Sequence, residues 1–181
     1  MAKVANTYGP QIVANGGPIT KDVYQSHATE LWLKGSLLYF ESGLLAPVVD
    51  TKSGAAEIDT DDTGSAGVRL FLAMEDHITT GTAFVAVQEI LNDTVIEIQI
   101  VASGSTDPST GQVSQGGQYT WYQAQNTSYE GTFLIGMDVD DSTKPIFNVT
   151  ALQSDYEWTR DAAGTDDYGT VRGKIISTIL A

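Results

Sequence analysis

Glu75, Asp76 and His77 stand consecutively, and acids beside an imidazole are a pairing that can bind a metal or orient a general base. The other histidine, His27, lies fifty residues upstream. If the segment is a strand, its neighbours point to opposite faces, so a solvated turn is the plainer reading of residues 75–77. Closely spaced carboxylates suit calcium, and Asp59-Thr60-Asp61-Asp62-Thr63-Gly64 begins like a calcium loop. That pattern requires Glu at its twelfth position, where Leu70 stands. Asp138-Val139-Asp140-Asp141 and Asp166-Asp167 are two further acidic clusters. Solvated turns are the plainer reading of all three, with calcium binding by an acidic loop left open.

Other chemistry is thinly represented. The chain has no cysteine, hence no disulfide, thiolate nucleophile or Cys-based metal site. It contains no GxSxG, no HExxH and no phosphate-cradling glycine loop. The expectation is therefore no catalytic residue, no metal and no cofactor. Aromatic residues offer one alternative. Tyr119 and Trp121 share a face at period two, close to Tyr122 and Tyr129. Exposed, such a face could stack on sugar rings; buried, it is core packing.

The elements that would position these residues read as strands. Val, Ile and Thr make up 48 of 181 residues, and 18 glycines add turns, a composition that favours pleated sheet over helix. Residues 31–50 form a first β block, with a short hairpin turn at Glu41-Ser42-Gly43 and with Pro47 marking an edge strand or strand end. Residues 51–66 are polar and acidic and read as a loop. In 67–78, Val68, Leu70, Leu72 and Met74 share one face. Residues 82–91 and 94–102 read as a hairpin turning at Asn92-Asp93, with Ile96, Ile98 and Ile100 on one face of its second strand and Val95, Glu97, Gln99 and Val101 on the other. Residues 103–118 are nearly all small or polar and read as a long exposed loop. Further strand-length blocks follow to the C-terminus.

The expected fold is all-β: an antiparallel β-barrel or β-sandwich of about ten to twelve short strands, spanning 31–181, with a subdivision at 103–118 left open. Residues 1–30 read as an extended N-terminal arm punctuated by Asn, Gly and Pro. Its apolar Tyr8, Ile12, Val13 and Ile19 are the contact candidates, on this domain or on a neighbouring subunit.

The charge balance narrows the partners. Nine Lys and Arg against 23 Asp and Glu give a net charge of −14, which disfavours a nucleic-acid groove. There is no apolar run long enough to span a membrane as a helix, and no secretory signal is visible in the first thirty residues.

The order of blocks resembles the small β-rich capsid decoration, or cement, proteins of tailed bacteriophages. The resemblance is carried by Lys34-Gly35-Ser36-Leu37-Leu38-Tyr39-Phe40-Glu41-Ser42-Gly43, by Gly67-Val68-Arg69-Leu70-Phe71-Leu72-Ala73-Met74-Glu75-Asp76, by Tyr129-Glu130-Gly131-Thr132-Phe133 and by Tyr168-Gly169-Thr170-Val171-Arg172-Gly173-Lys174-Ile175. It covers roughly residues 31–180 and is one of pattern rather than catalytic signature. It implies a non-enzymatic virion protein, made in the host cytoplasm, that sits on the capsid exterior and cements neighbouring copies of the major capsid protein. Self-association, as a homotrimer, is left open. The alternative reading from the residues is a carbohydrate-binding β module of a fibre or secreted protein.

Overall fold

The computed structural model describes residues 10–14, 22–48, 56–59, 61, 67–101, 113–126, 132–138, 143–152, 170–176 and 180. They are all-β, with thirteen strands: β1 (Gln11–Ala14), β2 (Asp22–Gln25), β3 (Leu37–Glu41), β4 (Leu44–Pro47), β5 (Ala56–Ile58), β6 (Leu70–Ala73), β7 (Phe84–Ile90), β8 (Val95–Val101), β9 (Gln118–Tyr119), β10 (Trp121–Asn126), β11 (Thr132–Asp138), β12 (Phe147–Leu152) and β13 (Thr170–Ile175).

Five strands form a small sheet in the order β2-β7-β6-β3-β4. Its two edges meet again where Ser26 bridges Leu45 in parallel and the His27 N–H donates to the Leu45 carbonyl at 2.8 Å. The sheet thus curls into a small barrel. The β3–β4 hairpin turns at Ser42 and Gly43, both at positive φ (50° and 85°), as a two-residue turn that follows strand twist requires. Pro47 lies in β4, an edge strand of the sheet.

The other eight strands form a sheet in the order β5-β10-β11-β8-β13-β12-β9, with β1 added beside β8. Only Thr120 separates β9, at one end of this path, from β10, which stands next to β5 at the other end. The Asp138 N–H donates to the Thr120 carbonyl (2.9 Å) and the Ile146 N–H to the Tyr119 carbonyl (3.1 Å), closing the sheet on itself. One pairing, β8 with β11, is parallel, so the architecture is not purely antiparallel.

Two cores result. Inside the small barrel lie Trp32, Leu38, Leu45, Phe71, Ala73, Val85 and Val87. The outer wall of the same barrel contributes Leu37, Leu70, Leu72 and Ile90 to a larger core, with Ile96, Ile98, Ile100, Trp121, Met137, Phe147, Val149 and Val171 from the large sheet. The unbroken apolar runs Leu37–Phe40 and Leu70–Ala73 follow from this: their alternate side chains enter different cores, so both faces need apolar residues. Leu70 and Leu72 share a face as the pattern indicates, but Phe71 and Ala73 on the other face are buried as well.

Three expectations need correction. The hairpin at Asn92-Asp93 does not form. The turn itself is present, with the Thr94 N–H donating to the Leu91 carbonyl (2.9 Å) and the Leu91 N–H to Thr94 Oγ1 (2.8 Å). Its flanking strands then diverge, because β7 pairs on both edges with β2 and β6, while β8 pairs with β13, β1 and β11. The loop over 51–66 contains β5, where Ile58 is fully buried opposite Trp121. The loop over 103–118 is structured at its end: Val113 enters the large core, and the Gly116 N–H donates to the Val149 carbonyl at 2.7 Å. Residues 103–112 lie outside the described residues.

The arm expected over 1–30 is woven into both sheets where it is described. Gln11 and Ile12 pair with Glu97 and Ile96 of β8, and Asp22–Gln25 pair with β7.

Candidate functional site

The acid–histidine triplet separates into two unrelated roles. His77 is buried, not solvated; its backbone exchanges two 2.9 Å hydrogen bonds with Trp32, and the two rings lie 4.7 Å apart. Its Nε2 has no hydrogen-bond partner. Glu75 Oε1 accepts the Ala86 N–H at 2.7 Å, and Asp76 Oδ1 accepts the Lys34 N–H at 2.7 Å. Both acids cap backbone N–H groups at the end of β6, which accounts for their adjacency without metal chemistry.

In the first acidic cluster, Asp59 Oδ1 accepts the Asp61 N–H at 2.6 Å, a local turn closed by its own side chain. The Lys144 ammonium ion-pairs with Asp61 and lies 3.9 Å from Asp59, so a lysine takes the place proposed for a cation. Asp138 is fully buried. Asp140, Asp141, Asp166 and Asp167 lie outside the described residues. Among the described residues, no group of three or more His, Cys, Asp or Glu side chains is arranged to hold a metal ion.

Tyr119 and Trp121 share a face as read, and that face is interior. Trp121 is fully buried with its ring 5.6 Å from Phe147, and the Tyr119 hydroxyl accepts the Ser114 N–H at 3.1 Å. Neither ring presents a platform for a sugar. Tyr129 lies outside the described residues.

Of the arm candidates, Ile12 is half-buried against the large core and Val13 is partly exposed on β1. Tyr8 and Ile19 lie outside the described residues.

Two features escaped the sequence reading. Arg69 closes one end of the small barrel. Its guanidinium makes a bidentate pair with Glu89 (2.7 and 2.9 Å), reaches the Tyr24 hydroxyl at 3.2 Å and lies 5.2 Å from the Phe71 ring centre. Below it, Tyr24, Phe40 and Phe71 pack edge to face, with centroids 5.0–5.4 Å apart. The Arg69 hydrogen bonds hold the Glu89 carboxyl below its ordinary pKa and lift the guanidinium above its own. An arginine between Val68 and Leu70 in an otherwise apolar run was the available signal.

The second is an apolar strip on the outer wall of the small barrel. Phe84 is 75% exposed and Val23 58% exposed. Gln25 stands opposite Phe84 and Val23 opposite Ala86, so these four share the outward face while Tyr24, Val85 and Val87 turn inward. Residues 82–91 alternate with apolar residues on both faces, which does not mark either face as the exposed one.

The chain matches no family model, no curated protein and no solved structure.

Proposed function

We propose that this chain is a non-enzymatic structural protein of a phage virion, one that binds the exterior of an icosahedral capsid and cements neighbouring major capsid subunits. The observation that carries the reading is how the chemistry-bearing residues are used. Glu75 and Asp76 hold backbone N–H groups, Asp59 and Asp61 hold a turn and a lysine, His77 packs against Trp32, and Trp121 fills a core. Side chains that could have done chemistry are engaged in maintaining shape, and a rigid shape is what a clamp requires.

Two further features support it. The segments that carry the resemblance coincide with structural parts: a strand with its hairpin turn at 37–43, β6 with its two capping acids at 70–76, and β13 at 170–175. An acidic chain of net charge −14 is also repelled by DNA and attracted to basic patches on a shell. Many copies, each bridging two subunits, would stabilise a shell by avidity from modest contacts.

The test is reconstitution. Purified protein is added to phage heads stripped of decoration, and DNA release is followed on heating. Saturable binding with release at higher temperature is the expected result; heads that neither bind the protein nor gain heat resistance would refute the reading.

A further inference from the structure

The outer wall of β7 is half covered. Gln88 and Ile90 point outward from the small barrel and are buried, Ile90 in the core shared with the large sheet. Phe84 and Ala86 continue the same face beyond that cover, and Val23 and Gln25 widen it across β2. Ile78, in the segment leading to β7, is exposed too. A phenylalanine three-quarters exposed on a paired strand leaves most of its apolar area in water.

The rim of this strip is acidic. Glu75 is exposed and fixed to the strip by its hydrogen bond from the Ala86 N–H, and Asp76 follows it. Strands β2 and β7 contain neither lysine nor arginine; their two acids, Asp22 and Glu89, stand on the inward-facing side, where Glu89 is paired with Arg69, so the charge at the strip itself is that of Glu75 and Asp76. A second copy of this chain is a poor occupant, because it would bring another Glu75 rim and a further charge of −14 against the first.

We infer that the Val23–Phe84 strip is the docking face, and that it takes a protein surface with an apolar pocket for the Phe84 ring and lysine or arginine at the pocket's edge. This rests on the capsid reading, under which that surface belongs to the major capsid subunit. Phe84 supplies the desolvated anchor; Glu75 supplies orientation and association rate.

The experiment uses the full chain and undecorated phage heads, with bound protein measured by sedimentation at low and high salt. Phe84→Ala should weaken binding by at least about tenfold while leaving the thermal melt unchanged, since the ring is exposed. Glu75→Gln keeps an acceptor for the Ala86 N–H and removes the charge; it should weaken binding by about two- to threefold at low salt and have little effect at high salt. Leu152→Ala, an exposed apolar change on β12, should bind like the unaltered protein. If the unaltered protein binds and Phe84→Ala binds equally well, the docking face is wrong and the capsid reading stands. If the unaltered protein does not bind heads, the capsid reading fails and takes the docking face with it. If Phe84→Ala instead abolishes self-association of the free protein, the occupant is a second copy and the inferred partner is overturned.

Discussion

The small barrel and the large sheet fill their cores with the same materials in different proportions. The small barrel is rich in rings: Tyr24, Phe40 and Phe71 meet edge to face beneath Arg69, and Trp32 lies tilted against His77, beside Leu38, Leu45, Val85 and Val87. The large sheet is filled chiefly by branched aliphatic side chains, with Ile96, Ile98 and Ile100 in a row on β8. Their wiring differs as well. The small barrel combines the local β3–β4 hairpin and the β6–β7 pair with longer-range pairings, Asp22 with Val87 and Leu37 with Leu72. The large sheet gathers β1, β5, β8 and β9–β13 from the whole chain and includes a parallel pairing. Both units therefore depend on long-range pairing, and the large sheet draws it from more of the chain. The two units are joined by the wall of Leu37, Leu70 and Leu72, which belongs to the small barrel and packs in the large core.

The sharpest way to break this comparison is to remove a ring. Phe71→Ala should destabilise the protein by about 3–5 kcal/mol in urea denaturation, as loss of a buried aromatic does. Because the shared wall links the units, fluorescence and circular dichroism should still report one transition; two separated transitions would show that the wall does not couple them. In the large sheet, crowding is the weak point. A Cβ at Gly173 would lie 2.3 Å from the Asn148 carbonyl oxygen and 2.5 Å from the Phe147 ring. Gly173→Ala should therefore cost about 1–3 kcal/mol, read from the shift in denaturation midpoint. At the β3–β4 turn, Gly43 stands at φ 85° with open space around it, so Gly43→Ala should cost about 1 kcal/mol through backbone strain alone.

The smallest effect concerns the Arg69 cap. Glu89 has a lowered pKa when folded, so the native state binds fewer protons there than the unfolded chain. Its contribution is complete above the unfolded carboxylate range and is lost as pH falls through that range and below. Arg69 is nearly half exposed, which limits the pair to about 0.5 kcal/mol. Glu89→Gln should lower stability by about that amount at neutral pH, and the difference from the unaltered protein should vanish in acid.

Local pattern was legible in the sequence, and long-range pairing was not. The turn at Ser42-Gly43, the edge position of Pro47 and the Ile96/Ile98/Ile100 face depend on neighbours a few residues apart, and the structure has all three. The Asn92-Asp93 hairpin failed because a turn sequence fixes a reversal without choosing the partner strand; both edges of β7 and of β8 were taken by other segments. Ile58 and Val113 lay in polar surroundings and gave no periodic signal, yet each supplies a core position. His77 was misread for the opposite reason: its acidic neighbours suggested solvent, while its own ring packs on Trp32. The exposure of Phe84 was beyond reach, since alternation separates two faces but does not say where cover by the large sheet ends.

The most direct test of the central claim is a sucrose gradient of lysate from the source, with mass spectrometry of each fraction. The chain should travel with particles of virion size, at a fixed ratio to a much larger shell protein. Recovery only at the top of the gradient, among soluble proteins, would contradict the capsid assignment.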